Sequence, residues 1–425
     1  MKSIAISLFA SVFILNLALA ADQGGEIDFN HAREIFQRKQ NGETISAEDQ
    51  AYVQKAMQAR QRQQQGQNAG GDIDWQRAGE LHRRAQSGEK LSAEDHAYYE
   101  KAKTARQQRE GKGKGGESHA PTGPATGGKE SVGFTPLTEL GAAKYKGEDG
   151  GLYGGGRNEP PPEHAAAAKK ELTKIRPLDA DGKPAADGKV VLLSVGMSNT
   201  TQEFSRFKQL ADADPQKSPK LVIVDGAQGG QTPPRWTESP DNRVWQTVDG
   251  RMKQTAVTPQ QVQVVWLKQA NIHPTEAFPE HAKKLQADIT ALLNMLKSKF
   301  PNLRVAYLSS RIYAGYATTE LNPEPYAYEG AFAMRWLIQD QIKGDAKLNY
   351  DPAHGEVKSP LLLWGPYLWG DGMKARKDGL TWTRDDLVSR DGTHPSTAGR
   401  QKVADLLLKF FKTDACARTW FAAKP

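Results

Sequence analysis

Cysteine is nearly missing from this sequence. Cys416 is the one cysteine in 425 residues, so no disulfide within the chain can brace it and the fold must rest on packing. After the first twenty residues there is no apolar run of the roughly 20 residues that cross a bilayer, so no later segment is expected to span a membrane. Charge of one sign is not concentrated either. Residues 21–133 hold 17 Lys plus Arg against 17 Asp plus Glu, Lys2 carries one charge of the +7 excess, and the remaining +6 is spread from Phe134 onward. A chain without a basic arm or block is not expected to track phosphates, which argues against a nucleic-acid partner. Metal-ligand spacing is lacking too. His31, His82 and His96 have no second ligand at a useful interval, and "DADGKPAADGK" (Asp179 to Lys189) lacks the closing glutamate of a calcium loop and reads as a turn before a strand. No metal and no cofactor are expected.

What is present begins with "MKSIAISLFASVFILNLALA", with Lys2, an apolar run from Ile4 and a small-x-small end at Ala18 to Ala20. This reads as a secretory signal over residues 1–20, with a mature chain starting near Ala21 and an exported, periplasmic or extracellular, location. No cysteine follows that site to take a lipid. Next comes an internal repeat. Residues 27–64 align without gaps to 73–110 at an offset of 46, with 19 of 38 positions identical. Each unit reads as a helix ending at Gly42 or Gly88 and a second helix opened by "SAED", capped by Ser46 or Ser92 with Asp49 or Asp95 at the third helical position. The two hairpins (21–111) have thin apolar stripes, Phe29, Ile35, Ile45, Tyr52 and Val53 against Trp75, Leu81, Leu91, Tyr98 and Tyr99, which suits an appendage with a protein or cell-envelope partner. Residues 112–133 are Gly-, Lys- and Pro-rich and read as a flexible linker.

From Phe134 onward (134–425) the composition is that of a globular domain. Apolar runs at Lys189 to Gly196, Lys220 to Gly226, Val262 to Lys268, Leu303 to Ser310 and Pro360 to Pro366 alternate with helix patterns at Thr201 to Ala213, Pro279 to Phe300, Tyr328 to Ile342 and Ser396 to Phe411. Buried β runs separated by helices predict a flavodoxin-like three-layer α/β/α fold with about five parallel strands. Sites in such sheets form at the carboxyl ends of the strands. Those ends carry "GMSN" (Gly196 to Asn199), the glycine loop Gly226 to Gly230, Asn271, and late in the chain "DGTHPSTAG" (Asp391 to Gly399).

Ser198 has two readings, a helix cap or a nucleophile. As a nucleophile it would give its proton to His394, whose ring Asp391 would orient, while the N–H groups of Ser198 and of Gly229 or Gly230, with the Asn271 amide, would face the oxyanion. Gly-x-Ser-Asn, a glycine loop, an Asn after the third strand and a late Asp-x-x-His resemble the four blocks of the SGNH (GDSL-like) hydrolase superfamily, over roughly residues 189–411. The resemblance implies an esterase, deacetylase or acyltransferase with Ser198 as nucleophile, His394 and Asp391 as the base pair, and Gly229 or Gly230 with Asn271 as oxyanion donors. The blocks depart from that pattern at Met197, where the family has Asp, and at Gln269 and Ile272, where it has Gly and Asp around its Asn. The α/β-hydrolase elbow is disfavoured because Thr200 stands where Gly-x-Ser-x-Gly needs glycine. Trp236, Tyr313 and Trp369 on expected loops can shape a cleft that stacks on sugar rings, with Arg311 taking an anionic group, or can pack the loops; a glycan ester is the preferred substrate. A degenerate domain that only binds glycan, and a scaffold acting through its repeats, are the alternatives.

Overall fold

The computed structural model describes residues 35, 46–56, 81, 92, 94–102 and 128–423. The chain divides into two compact units, Met1–Thr122 and Gly123–Pro425. In the first, residues 47–56 and 94–102 are helical. Their N-termini are held as the "SAED" pattern predicts: the Asp49 N–H donates to Ser46 Oγ at 3.0 Å and the Asp95 N–H to Ser92 Oγ at 3.1 Å. Ile35 and Leu81, and Ala56 and Ala102, are buried at matching positions of the two repeats. The segment expected to be a secretory signal, Gly42, Gly88 and most of the expected first helix of each repeat lie outside the described residues.

The second unit carries strands β1 (Val190–Gly196), β2 (Leu221–Asp225), β3 (Val262–Lys268), β4 (Val305–Leu308) and β5 (Leu361–Trp364). All pairings are parallel and the order is β2-β1-β3-β4-β5, the flavodoxin-like order. The helices are α1 (Pro162–Leu172), α2 (Ser198–Asp212), α3 (Pro233–Thr237), α4 (Arg243–Gln254), α5 (Glu280–Lys299), α6 (Tyr326–Ile342), α7 (Thr397–Thr413) and α8 (Arg418–Phe421). Strand order reverses after β1, so right-handed crossovers put α2 on one face and α4, α5 and α6 on the other, and α7 returns to pack beside α2. Covered on both faces, β1, β3, β4 and β5 are buried along their whole length, which is why they read as continuous apolar runs.

Helix α2 shows how packing aims the site. Phe204, Phe207 and Ala211, three and four residues apart, form its buried stripe, with Phe204 stacked on Trp266 of β3 at 5.5 Å and Phe207 against Phe411 of α7 at 5.3 Å. The α1, α3 and α4 helices were not in the sequence pattern, since α3 begins at a Pro-Pro pair and α4 sits in a stretch that reads as loop. One boundary also moves. Residues 128–133, expected in the flexible linker, are bound to the second unit: Lys129 N–H donates to the Gly315 carbonyl at 2.8 Å, and Ser131 Oγ and Val132 N–H donate to Asp371 at 2.6 and 2.7 Å. Asp179 closes the expected turn before β1, its Oδ1 accepting from the N–H groups of Asp181 and Lys183.

Candidate active site

The reversal of strand order places a crevice between the carboxyl ends of β1 and β3. Gly196 ends β1 there, and a Cβ on it would lie 2.2 Å from Thr200 Oγ1 and 2.4 Å from the Lys268 carbonyl oxygen, so only glycine lets strand, helix and neighbouring strand approach this closely. Met197 caps α2 in extended conformation and makes no side-chain cap bond; Ser198 is the first helical residue. The helix-cap reading of Ser198 is therefore not what the structure contains. Its Oγ lies 2.8 Å from His394 Nε2.

His394 arrives from the other end of the chain on the turn before α7. Asp391 accepts from the backbone N–H groups of Thr393 and His394, both at 2.9 Å, through Oδ1, and its Oδ2 lies 3.0 Å from His394 Nδ1. Burial alone would raise the Asp391 pKa, but those two N–H groups and the imidazole outweigh it and hold the carboxyl below its ordinary value. Gly392 in this turn has φ +57°, and a Cβ there would collide with the Tyr316 carbonyl at 1.8 Å, which accounts for the glycine in "DGTH". Ser396 then caps α7 by accepting from the Gly399 N–H. Asn199, buried, donates to the Thr393 carbonyl at 2.9 Å and so fastens the serine-bearing turn directly to the histidine-bearing one.

The glycine loop after β2 is held from both sides. Asp225 accepts from Ser194 Oγ at 2.6 Å and from Ser205 Oγ at 2.7 Å, and Arg251 of α4 donates to the carbonyls of Asp225 and Ala227 at 2.6 and 2.8 Å. Gly229 lies against the serine: a Cβ on it would be 3.8 Å from Ser198 Cβ. Gly230, at φ +73°, lines the cavity. The N–H groups of Ser198, Gly229 and Gly230 donate to no protein acceptor among the described residues.

That cavity, about 300 Å³, is walled by Met197, Ala270, Ile272 and Leu321 and opens on Ser198 and His394. Two expectations are corrected at its edge. Asn271 does not line it; its Nδ2 donates to Asp288 of α5 at 2.8 Å and its carbonyl accepts from Asn322. Two amides do line the cavity, Asn199, bonded to Thr393, and Gln269, which is buried, donates through Nε2 to the Gln231 carbonyl at 3.2 Å and leaves Oε1 without a partner among the described residues. Trp236, Tyr313 and Trp369 do not form a sugar platform. All three are fully buried, Trp236 edge-on to Trp245 at 5.0 Å, Tyr313 donating to the Lys129 carbonyl at 2.6 Å, and Trp369 donating to Glu324 at 2.8 Å. Arg311, in contrast, lines the cavity.

Residues with no motif signal complete the floor. Lys268, the last residue of β3, is buried against Glu203 of α2. Burial pulls the Lys268 pKa down to about 8 despite Glu203, and burial pushes the Glu203 carboxyl up despite Lys268. The sequence signal for this pair is a charged residue ending a strand that is apolar except for Gln263. His273, the histidine that follows Asn271 and Ile272, is exposed and outside the cavity lining. Among the described residues no group of three or more His, Cys, Asp or Glu is placed to hold a metal ion, and no helix is long and apolar enough to cross a membrane.

Neither a family model nor a curated protein matches the chain. Solved structures similar to it include a lipase from a goat rumen metagenome (12% identity, covering 52% of this chain and 96% of that one, TM-score 0.31). Others are an acetyl esterase solved with an acetate ion (14%, 51% and 94%, TM-score 0.30) and the periplasmic domain of a lipopolysaccharide acetyltransferase of Salmonella ser. Paratyphi A (12%, 58% and 96%, TM-score 0.30).

Proposed function

We propose that the Gly123–Pro425 unit is a serine ester hydrolase of the SGNH type. The observation that carries this reading is the continuous chain Ser198 Oγ, His394 Nε2, His394 Nδ1, Asp391 Oδ2, with links of 2.8 and 3.0 Å, at the mouth of a cavity. In this reading Ser198 attacks the ester carbonyl while Nε2 takes its proton. The same proton is returned to the departing alkoxide, leaving an acyl-enzyme that water, deprotonated by His394, then releases. Asp391, kept ionised by its hydrogen bonds, holds Nδ1 protonated and stabilises the imidazolium. The N–H groups of Ser198 and of Gly229 or Gly230, unpaired among the described residues, and the second Nε2 hydrogen of Gln269, whose first is bonded to Gln231, are the oxyanion donors, each worth about 3 kcal/mol of barrier where such a donor acts. The N-terminal apolar segment supports export, and the paired repeats support attachment to an envelope or protein partner.

The test is labelling with a fluorophosphonate probe alongside hydrolysis of p-nitrophenyl acetate. One label per chain at Ser198 is expected, with Ser198→Ala abolishing it and lowering kcat by roughly 10⁴-fold or more. A wild-type protein that neither labels nor hydrolyses would overturn the reading.

A further inference from the structure

Lys268 and Arg311 both line the cavity, yet only one of them is paired. Lys268 is bound to Glu203 Oε2. Arg311 is 7% exposed, and its Nε and Nη2 are buried with no hydrogen-bond partner among the described residues. Two carboxylates act on it electrostatically, Glu203 and Glu324, but neither bonds it. Glu324 is already committed, with Oε1 accepting from the Ala314 N–H and the Trp369 indole and Oε2 from the Tyr328 N–H. A buried guanidinium with unmade hydrogen bonds is costly, and native proteins leave few such groups.

We propose that Arg311 receives a carboxylate carried by the ester substrate, so that the cavity beside Ser198 selects negatively charged esters over neutral ones. The proposal rests on Ser198 being the nucleophile. A guanidinium fork matches a carboxylate with two parallel N–H···O bonds, the geometry that would satisfy the orphaned nitrogens together. With Lys268 spent on Glu203, Arg311 is the cavity cation left with unmade hydrogen bonds, and one guanidinium suits one carboxylate better than a dianion. Arg311 follows β4, two strands from β1 in the sheet, so at a strand spacing of roughly 4.8 Å it lies about 10 Å across the sheet from the serine strand. The recognised charge is thus several bonds from the carbonyl under attack and takes no part in the chemistry. The rest of the wall, Met197, Ala270, Ile272 and Leu321, fits the apolar chain between them.

The carboxylate can sit on the acyl or on the alcohol side, and paired substrates separate the two. Mono-p-nitrophenyl succinate and its methyl-capped twin place the charge on the acyl group. 4-Acetoxybenzoate and its methyl ester place it on the alcohol. The wild-type protein should favour one charged member over its neutral twin by about tenfold or more in kcat/KM, the ratio worth about 1.4 kcal/mol, and Arg311→Met should bring that ratio near one while Arg311→Lys retains part of it. The same pairs titrated calorimetrically into Ser198→Ala protein read binding without turnover, so a failed nucleophile assignment would still leave the charge preference visible, and absent hydrolysis would count against Ser198 alone. A merely structural arginine would lower the melting temperature when replaced; an unpaired ligand-binding one should leave it level or raise it. Equal binding and equal turnover of charged and neutral twins, or a preference that survives Arg311→Met, would sink the proposal.

Discussion

Ser198 stands at the first position of a helix whose capping residue, Met197, makes no cap bond, so the hydroxyl is free to meet His394. Few residues decide what that contact can do, and two neighbouring amides show how position outweighs type. Asn271 donates to Asp288 and stays off the cavity wall, whereas Gln269, two residues earlier, lines it. Replacing Asn271 by Ala should therefore cost stability of about 1 kcal/mol, as a lost hydrogen bond does, with turnover changed less than fivefold. Gln269→Ala should lower kcat by roughly 10²-fold if its amide serves the oxyanion. Steady-state kinetics of both variants on p-nitrophenyl acetate reads the contrast, and a larger loss for Asn271→Ala would restore Asn271 to the role that its position after β3 suggested.

Elements are tied to one another by a small number of buried polar contacts. Thr200 of α2 donates to the Lys268 carbonyl at 2.8 Å, and Glu203, one turn on, pairs with the Lys268 side chain beneath the cavity. Removing one partner leaves the other charge buried and uncompensated, so Glu203→Leu should destabilise the protein by roughly 3 to 5 kcal/mol. Removing both, in Glu203→Leu with Lys268→Met, should recover most of that loss, because two desolvated charges are exchanged for packed apolar volume. Urea unfolding of the single and double variants measures it; additive losses would show that the pair acts on the fold by some other route.

At the scale of the molecule, the sheet and its connections form one buried structure from residue 128 to the end of the described chain, and its stability should depend on pH through Glu324. Burial pushes the Glu324 carboxyl up to about 7, against the hydrogen bonds it accepts. The folded state then holds a proton that the unfolded state has lost between about pH 4.5 and 7, so this group's contribution is full below the unfolded value and falls away as pH rises through 7, by roughly 3 kcal/mol in all. Denaturant titrations from pH 5 to 8 should show declining stability in the wild type and a flatter profile in Glu324→Gln, whatever its absolute level. Identical slopes would remove Glu324 as the cause.

Much of this architecture is written locally. The five apolar runs each became a strand, because full burial between two helical layers demands continuous Val, Ile and Leu, and "SAED" and "STAG" each mark a helix start through a serine that caps it. Gly196, Ser198, Asp391 and His394 were identifiable because a tight turn and an acid–base pair constrain residue type at short range. Arg311 stands out on its loop, but Trp236, Tyr313 and Trp369 beside it admit both a cleft and loop packing, because nothing in their spacing distinguishes a ring that faces solvent from one packed under a loop. Exposure is settled by what comes from elsewhere in the chain: Lys129 over Tyr313, Glu324 on Trp369, Trp245 against Trp236. The sequence by itself determined the strands, the helices α2, α5, α6 and α7, and the residue types at the strand ends. Only the tertiary structure decided that Gln269 and not Asn271 faces the cavity, and that Arg311 stands there unpaired, because burial and hydrogen-bond satisfaction are properties of neighbours far apart along the chain.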